Sequence, residues 1–106
     1  MALKGTTPTF ILTVPDTVDL TEATNVYASF GLSTDVELLR KTGDDITVSE
    51  HQVDVFLSQE ETLALPTGKI LVQLNWTYQQ GANVLRDATE PAVILFKPNM
   101  INEVLE

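Results

Sequence analysis

Ten consecutive residues, Lys69 to Tyr78, alternate between two kinds of side chain, and this alternation limits the chain to a few folds. In an extended strand successive side chains point to opposite faces of a sheet, so the pattern predicts a strand with one buried face. A helix would spread the same apolar residues around its axis. A second layer must cover the buried face, and we expect Trp76 to lie between the two layers. The residues of this face are Ile70, Val72, Leu74, Trp76 and Tyr78.

Shorter stretches repeat the pattern and indicate a β protein throughout. Thirty residues are Val, Ile or Thr, which suit a pleated surface, and seven are Ala. Pro91 lies inside the last stretch and therefore predicts an edge position or a bulge there. About seven short strands joined by tight turns are typical of an all-β, immunoglobulin-like antiparallel β-sandwich. The predicted strands are Thr9 to Val14, Asn25 to Leu32, Val36 to Lys41, Ile46 to Ser49, Gln52 to Leu57, Lys69 to Tyr78 and Val84 to Phe96.

One stretch predicts a helical turn. Ser58 and Glu61 have the S-x-x-E spacing of a capping box, in which the serine oxygen and the glutamate side chain each accept from the other residue's amide. We therefore expect one helical turn over Gln59 to Leu65, held to the core by Leu63 or Leu65.

The end of the chain has a different pattern. Met100, Ile101, Val104 and Leu105 recur at a spacing that puts them on one stripe of a helix. Seven residues do not hold a helix alone in water, so the stripe must dock, either on this domain or on another chain. We predict an N-terminal arm (residues 1–8), a β-sandwich domain (9–97) and a short helical, apolar C-terminal tail (98–106), and we predict that the four tail residues bind a partner.

Composition and charge exclude several classes of function. Six Lys and Arg against 15 Asp and Glu give a net charge of −9, which opposes nucleic acid and anionic membranes as partners. The chain has no cysteine, which removes disulfides, thiolate catalysis and cysteine-ligated zinc. No apolar run is long enough to span a membrane, and Met1 to Lys4 does not begin a secretion signal.

Few residues are suited to chemistry. The one histidine, His51, falls in a predicted turn, and no G-x-S-x-G pattern supplies a nucleophile for it. Asp44 and Asp45 lie in a turn that their side chains stabilise, and they lack the spacing of a calcium loop. We predict no catalytic residue, no metal site and no cofactor, and a hydrolase that uses His51 stays as a third alternative.

The aromatic residues bear on another class, the carbohydrate-binding modules, which use exposed rings. Tyr27 lies on the face opposite Val26 and Phe30 and is predicted to be exposed, so it joins the candidate partner-binding residues. Tyr78 lies near a strand end, where its hydroxyl can stay in water. An exposed planar pair on one sheet face would favour recognition of cell-wall glycan, whereas burial of the rings would favour a structural role.

Two stretches resemble a known family. Val18 to Thr24, followed by Val26-Tyr27-Ala28-Ser29-Phe30, is similar to the D-L-T-x-A passage into the second strand of small phage proteins. Val53 to Leu63 is similar to their V-x-L-T-Q-E-E-T passage, and Gly68 then opens a long strand ending in Asn75-Trp76-Thr77-Tyr78. From Thr7 to Glu106 the chain resembles the baseplate-associated proteins of phages and prophages of Gram-positive bacteria, including the N-terminal domain of the baseplate upper protein.

The resemblance implies an immunoglobulin-like virion component at the tail tip that docks on other tail or baseplate proteins and does no chemistry. It also implies assembly in the bacterial cytoplasm, in keeping with the lack of a secretion signal. It brings no catalytic residue. We expect a small accessory protein encoded among tail genes, because the helical linker of the longer baseplate upper proteins does not follow the sandwich. The sequence thus predicts a non-enzymatic tail or baseplate protein that acts as a protein–protein interaction module, with a homo-oligomer as a further option and a carbohydrate-binding module as the alternative.

Overall fold

The computed structural model describes residues 2–106, which form two β-sheets packed face to face. The predicted all-β sandwich is confirmed, although the described residues form nine strands where about seven were expected. The strands are β1 (Ala2–Leu3), β2 (Thr9–Thr13), β3 (Asn25–Ser33), β4 (Val36–Thr42), β5 (Ile46–Val48), β6 (Gln52–Phe56), β7 (Gly68–Gln80), β8 (Asn83–Ala88) and β9 (Ala92–Lys97). One helix, α1 (Gln59–Ala64), and two 3₁₀ turns, Leu20–Glu22 and Gly43–Asp45, join them.

The large sheet is built around β7, the strand that alternation predicts. One edge of β7 pairs antiparallel with β3, which pairs with β4. The other edge pairs with β9 along its first half and with β8 along its second half, and β1 adds to β9 in parallel. Trp76 is 2% exposed, so its predicted place in the core is confirmed.

A β-bulge divides the predicted strand Val84 to Phe96 into β8 and β9. Three residues, Thr89 to Pro91, lie opposite two residues of β7, Gln73 and Leu74. The Thr89 amide donates to the Leu74 carbonyl (3.0 Å) and the Thr89 hydroxyl accepts from the Leu74 amide (3.1 Å). Thr89 thus makes ladder bonds beside a proline that has no amide hydrogen to donate. The interruption predicted at Pro91 is confirmed, and the single continuous strand is wrong.

A second irregularity lies in the hairpin of β3 and β4. Strict alternation predicts that Glu37 and Leu39 share a face. In the structure Leu38 is an extra, unpaired residue between them, because Leu39 pairs with Phe30 and Glu37 pairs with the next residue, Gly31. Leu39 therefore turns to the core and Glu37 to the outside. Gly31 lies at this slip, and a Cβ placed on it would be 2.1 Å from the Val36 carbonyl oxygen. Only glycine permits the two strands to approach this closely.

The small sheet consists of β2, β6 and β5 in that order, all antiparallel. The hairpin of β5 and β6 confirms the turn predicted at Glu50-His51. Phe10 of β2 joins the two layers, because its ring centroid lies 5.9 Å from that of Phe30 and 6.3 Å from that of Phe96, both in the large sheet. Edge and face contacts between rings at these distances add to the stabilisation that burial gives.

Helix α1 and its capping box are confirmed. The Ser58 hydroxyl accepts from the Glu61 amide (3.1 Å), and the Glu61 carboxylate accepts from the Ser58 amide (2.9 Å). Leu65, at the end of the helix, is 2% exposed and packs in the core as predicted.

Thr62, in the middle of α1, ties the N-terminal arm to the sandwich. Its side chain is fully buried; the hydroxyl donates to the Thr6 carbonyl (2.8 Å) and accepts from the Gly5 amide (3.0 Å). Nothing in the sequence distinguishes this residue, since a threonine between Glu61 and Leu63 has no signature of burial.

The predicted helix of the tail is wrong, because residues 98–106 have no helical turn. The tail instead lies along α1 and the arm through polar side chains. The Gln59 side-chain amide bonds both the backbone N–H and the carbonyl of Leu105. The Asn99 side-chain amide donates to the Lys4 carbonyl (3.0 Å). The two bonds from Gln59 satisfy the backbone of Leu105, which therefore does not need the hydrogen bonds of a helix.

The hairpin of β7 and β8 projects beyond the body of the sandwich. β7 pairs with β3 as far as Thr77, and from Tyr78 to its end it pairs with β8. Gly81 opens the two-residue turn with a φ of 60°, which confirms the predicted hairpin centred on it.

Candidate functional site

A shallow groove of about 490 Å³ runs across the outer face of the large sheet. We call it the outer groove. Its floor is formed by residues of β3 and β7 that alternate with core residues, so each of them points away from the small sheet. Its main polar residues are Tyr27, Arg40, Gln73, Asn75, Thr77 and Arg86.

The charged groups at one end of the outer groove are paired with each other. Glu37 accepts two hydrogen bonds from the Arg40 guanidinium (2.7 and 3.0 Å) and one from the Ser29 hydroxyl. The hydrogen bonds from Arg40 and Ser29 hold the pKa of Glu37 below its usual value. The same guanidinium lies 6.0 Å from the centroid of the Tyr27 ring. This cluster orients Tyr27 and Arg40 but adds little stability, because both charged side chains are exposed.

A second arginine is fixed at the opposite side of the groove. The Arg86 guanidinium donates twice to the Asn75 side-chain oxygen (2.9 and 3.1 Å). The side-chain amide of the neighbouring Gln73 donates to the Thr89 backbone carbonyl (2.7 Å), at the bulge between β8 and β9. The polar floor of the groove is therefore ordered before any partner arrives.

Apolar side chains continue this face beyond the groove. Val93 and Leu95 of β9 are 58% and 41% exposed, and Leu3 of β1 is 40% exposed. Leu71 pairs with Val93 and also lines the groove, so these residues share the outer face. We call Leu3, Leu71, Val93 and Leu95 the apolar strip.

The outer face of the large sheet is positively charged although the chain carries −9. Lys69 pairs with Leu95 and Lys97 pairs with Leu3, and alternation turns both lysines to the outer face with Arg40 and Arg86. Glu37 is the one carboxylate among the outward strand positions of this sheet. Most acidic residues therefore lie elsewhere on the molecule.

The outer face of the small sheet has the opposite charge. Asp54 of β6 lies opposite Ile11 of β2, and Asp44 and Asp45 line the same depression beside β5. Lys41 also lines it, but its ammonium is bonded to the Glu61 carboxylate (2.7 Å). Ile11 is 62% exposed and Phe56 is 50% exposed. We call this surface, with Ile11, Asp44, Asp45, Asp54 and Phe56, the small-sheet face.

The four tail residues predicted to bind a partner are all exposed. Met100 is fully exposed, and Ile101, Val104 and Leu105 are about half exposed. The Leu105 backbone is bonded to Gln59 and the Asn99 side chain to Lys4, so the tail docks in cis while its apolar side chains face solvent. None of the four lines the outer groove.

The predicted face of Tyr27 is confirmed, since its side chain points to the side of β3 away from the buried Val26 and Phe30. The side chain is half-buried, however, and not freely exposed. Trp76 and Tyr78 lie on the inner face of β7. The Trp76 indole donates to the Tyr78 hydroxyl (2.8 Å), so that hydroxyl is bonded within the protein, whereas its place near a strand end predicted contact with water. The rings of Tyr27 and Tyr78 thus point to opposite sides of the large sheet.

His51 is half-exposed in its turn, and its ring has a structural contact. Its Nδ1 lies 2.6 Å from the Val18 carbonyl oxygen, and Nε2 lies 3.8 Å from the Glu50 carboxylate. The Val14 amide donates to the His51 carbonyl (2.9 Å), so this histidine fastens the loop between β2 and β3 to the β5–β6 turn.

Within residues 2–106, no group of three or more His, Cys, Asp or Glu side chains is arranged to hold a metal ion. The α-helix in this part of the chain, α1, has six residues, and no helix there is long enough to cross a membrane. Comparison of the chain with family models, with curated proteins and with solved structures found no match.

Proposed function

We propose that the chain is a non-enzymatic structural or accessory protein of a phage or prophage tail or baseplate, and that it works as a protein–protein interaction module. The proposal rests on the sequence resemblance described above and on one structural observation. That observation is the exposed apolar strip on a sheet face that also carries an ordered polar groove.

Exposed apolar side chains gathered on one sheet face are unusual in a monomer and mark a surface that contacts another molecule. The apolar strip lies beside polar and charged groups that already have partners within the sheet, such as Arg86 with Asn75. An interface of this kind has an apolar centre and a polar rim, as specific protein contacts do. A structural component that assembles with other proteins needs such a surface and needs no reactive pocket.

The aromatic residues favour the structural role over the carbohydrate-binding alternative. Of the two aromatic residues that line the outer groove, Phe30 is fully buried and Tyr27 is partly exposed, with the Arg40 guanidinium next to it. A pair of exposed rings on one face, which would stack on successive sugars, is not formed by Tyr27 and Tyr78. Isothermal titration of the chain with cell-wall polysaccharide is expected to give no binding heat, and saturable heat that Tyr27→Ala removes would favour the alternative.

The hydrolase alternative would need His51 to act as a base. Its Nδ1 is bonded to the Val18 carbonyl, and no nucleophile pattern accompanies it. We expect His51→Ala to weaken the loop that it fastens and to leave an esterase and glycosidase screen as blank as the wild type.

The proposal is tested in particles of the phage or induced prophage that encodes the chain. Mass spectrometry of purified tails is expected to detect the protein at a fixed ratio to a tail protein of known copy number. Deletion of its gene is expected to give particles with defective tails or defective adsorption, restored by the wild-type gene in trans. A full yield of infectious particles without the gene product, together with its absence from purified tails, would overturn the proposal.

A further inference from the structure

We propose that copies of this chain associate head to tail, with the outer face of the large sheet of one copy on the small-sheet face of the next. The inference rests on the proposed structural function and names the partner as a second copy.

Charge is the first argument. The outward strand positions of the large sheet carry Lys69, Lys97, Arg40 and Arg86 against one carboxylate. The small-sheet face carries Asp44, Asp45 and Asp54, and the cation beside them, Lys41, is already bonded to Glu61. Two copies that meet through like faces would bring charges of one sign together. Contact between unlike faces brings cations to carboxylates and so selects the head-to-tail arrangement.

Apolar contact is the second argument. Each of the two faces has large side chains that no described part of its own chain covers: Val93 and Leu95 on one, Ile11 and Phe56 on the other. Burial of apolar area provides the main favourable free energy of association, and charges around it set the orientation. Both faces combine exposed apolar side chains with charged groups, and the charges of the two faces have opposite signs. Each face is therefore complementary to the other face and not to a second copy of itself.

The geometry has a direct consequence for assembly. The two faces are on opposite sides of the sandwich, so their contact is heterologous, and every added copy exposes a new face of each kind. Such contacts produce a ring if the rotation between copies closes and an open stack if it does not. The net charge of −9 on each copy opposes association at long range, but at about 0.15 M salt that repulsion is screened beyond roughly 8 Å while contacting groups still interact.

The experiment uses two double variants of the full chain that each damage one face. Val93→Ser with Leu95→Ser alters the outer face, and Ile11→Ser with Phe56→Ser alters the small-sheet face. All four positions are at least 41% exposed, so both variants should fold, which circular dichroism and thermal unfolding verify. Sedimentation velocity in 0.15 M salt, at concentrations up to about 1 mM, measures the mass of each sample and of an equimolar mixture.

We expect the mass of the wild type to rise with concentration and each variant alone to associate at least about tenfold more weakly, a loss of about 1.4 kcal/mol. In the mixture each variant supplies the face that the other lacks, so one-to-one dimers should form and nothing larger. A monomeric wild type at every concentration would overturn the inference. Association of either variant alone with wild-type strength would show a symmetric contact through its unaltered face and would also overturn it.

These results are independent of the particle experiment. If the protein is absent from tails but associates head to tail, the proposed function fails and the contact stands. If it is present in tails but monomeric by itself, the contact between copies fails and the proposed function stands.

Discussion

The side chain of Gln59 holds the backbone of Leu105 at both of its polar groups. The Gln59 Nε2 donates to the Leu105 carbonyl (2.9 Å), and the Gln59 Oε1 accepts from the Leu105 amide (2.7 Å). A side-chain amide has the same donor and acceptor as a peptide unit, so it pairs with the backbone much as a neighbouring strand does. This contact holds the end of the chain against the start of α1.

We expect Gln59→Ala to release the end of the tail and to change the free energy of unfolding by less than about 1 kcal/mol, since exposed hydrogen bonds contribute little net stability. Hydrogen exchange measured by NMR should show the Leu105 amide exchanging faster than in the wild type. Glu60→Ala, at the exposed neighbouring position, should leave that amide unchanged. Equal exchange in all three proteins would contradict the role given to Gln59.

Thr62→Val should destabilise the fold by about 1–3 kcal/mol, because valine matches the shape of threonine but leaves the Gly5 amide without its acceptor. Urea unfolding followed by the fluorescence of the single tryptophan measures the change. The same substitution at the exposed Thr67 is the control and should be nearly neutral. If the two variants were equally stable, the hydroxyl of Thr62 would not be needed to anchor the arm.

The stability of the protein should fall on acidification, in part through Glu61. Burial raises the pKa of Glu61, but hydrogen bonds from Lys41 and Ser58 outweigh it and hold the pKa below its usual value of 4.5. A lowered folded pKa means that the stabilisation is present above about pH 4.5 and is lost as the pH falls through the folded value.

Glu61→Gln should therefore cost about 1 kcal/mol at pH 7 and progressively less below pH 4.5, because it removes the ion pair with Lys41 and weakens the helix cap. Unfolding free energies measured between pH 7 and pH 3 test this. Glu60→Gln should run parallel to the wild type. The stability of Glu61→Gln should still fall with pH, because the pKa values of Glu37 and Asp19 are also lowered in the folded protein. The main cause is a side-chain hydrogen bond in each case, from Arg40 to Glu37 and from Thr21 to Asp19.

Tyr78→Phe should lower stability by about 1 kcal/mol or somewhat more, since it removes the acceptor of the buried Trp76 indole. Guanidinium unfolding detects the loss, and the emission of Trp76 in the folded state should change as well. Tyr27→Phe is the matched control on the opposite face of the sheet and should have little effect. A tryptophan spectrum that Tyr78→Phe does not alter would count against the hydrogen bond.

Gly31→Ala should be the more damaging of two glycine substitutions. The added methyl group would meet the Val36 carbonyl oxygen at 2.1 Å, and overpacking of this kind costs about 3 kcal/mol or more when the backbone must move. At Gly43, with a φ of 59° and open space around it, alanine should cost about 1–2 kcal/mol for the left-handed conformation alone. Thermal unfolding of both variants gives the order, and the reverse order would contradict the tight approach at Gly31.

Local patterns in the sequence were sufficient to predict two elements of the fold. The alternation from Lys69 to Tyr78 defines β7 and its core face, and the capping box defines α1, because both patterns arise from the local geometry of the chain. The proline rule likewise located the interruption at Pro91.

Features that depend on distant partners could not be predicted in this way. The extra residue at Leu38 moves Glu37 to the outer groove, yet nothing in the local sequence distinguishes it from a regular strand. The tail has the apolar spacing of a helix, but the Gln59 side chain bonds the Leu105 backbone and the Asn99 side chain bonds the Lys4 carbonyl. Only the fold brings these parts of the chain near each other. Of the candidate site, the sequence predicted the face of Tyr27 but not the arginines and the apolar strip beside it, which come from five different strands.

The projecting turn of β7 and β8 has a practical consequence. Between Gln80 and Asn83 the chain is exposed, and the strands on either side pair there only with each other among the described strands. Exposed turns of this kind accept inserted residues without loss of the fold. A short epitope or a dye-reactive peptide placed after Gly81 should thus leave both sheet faces intact, so it can report where each subunit sits in an assembled particle.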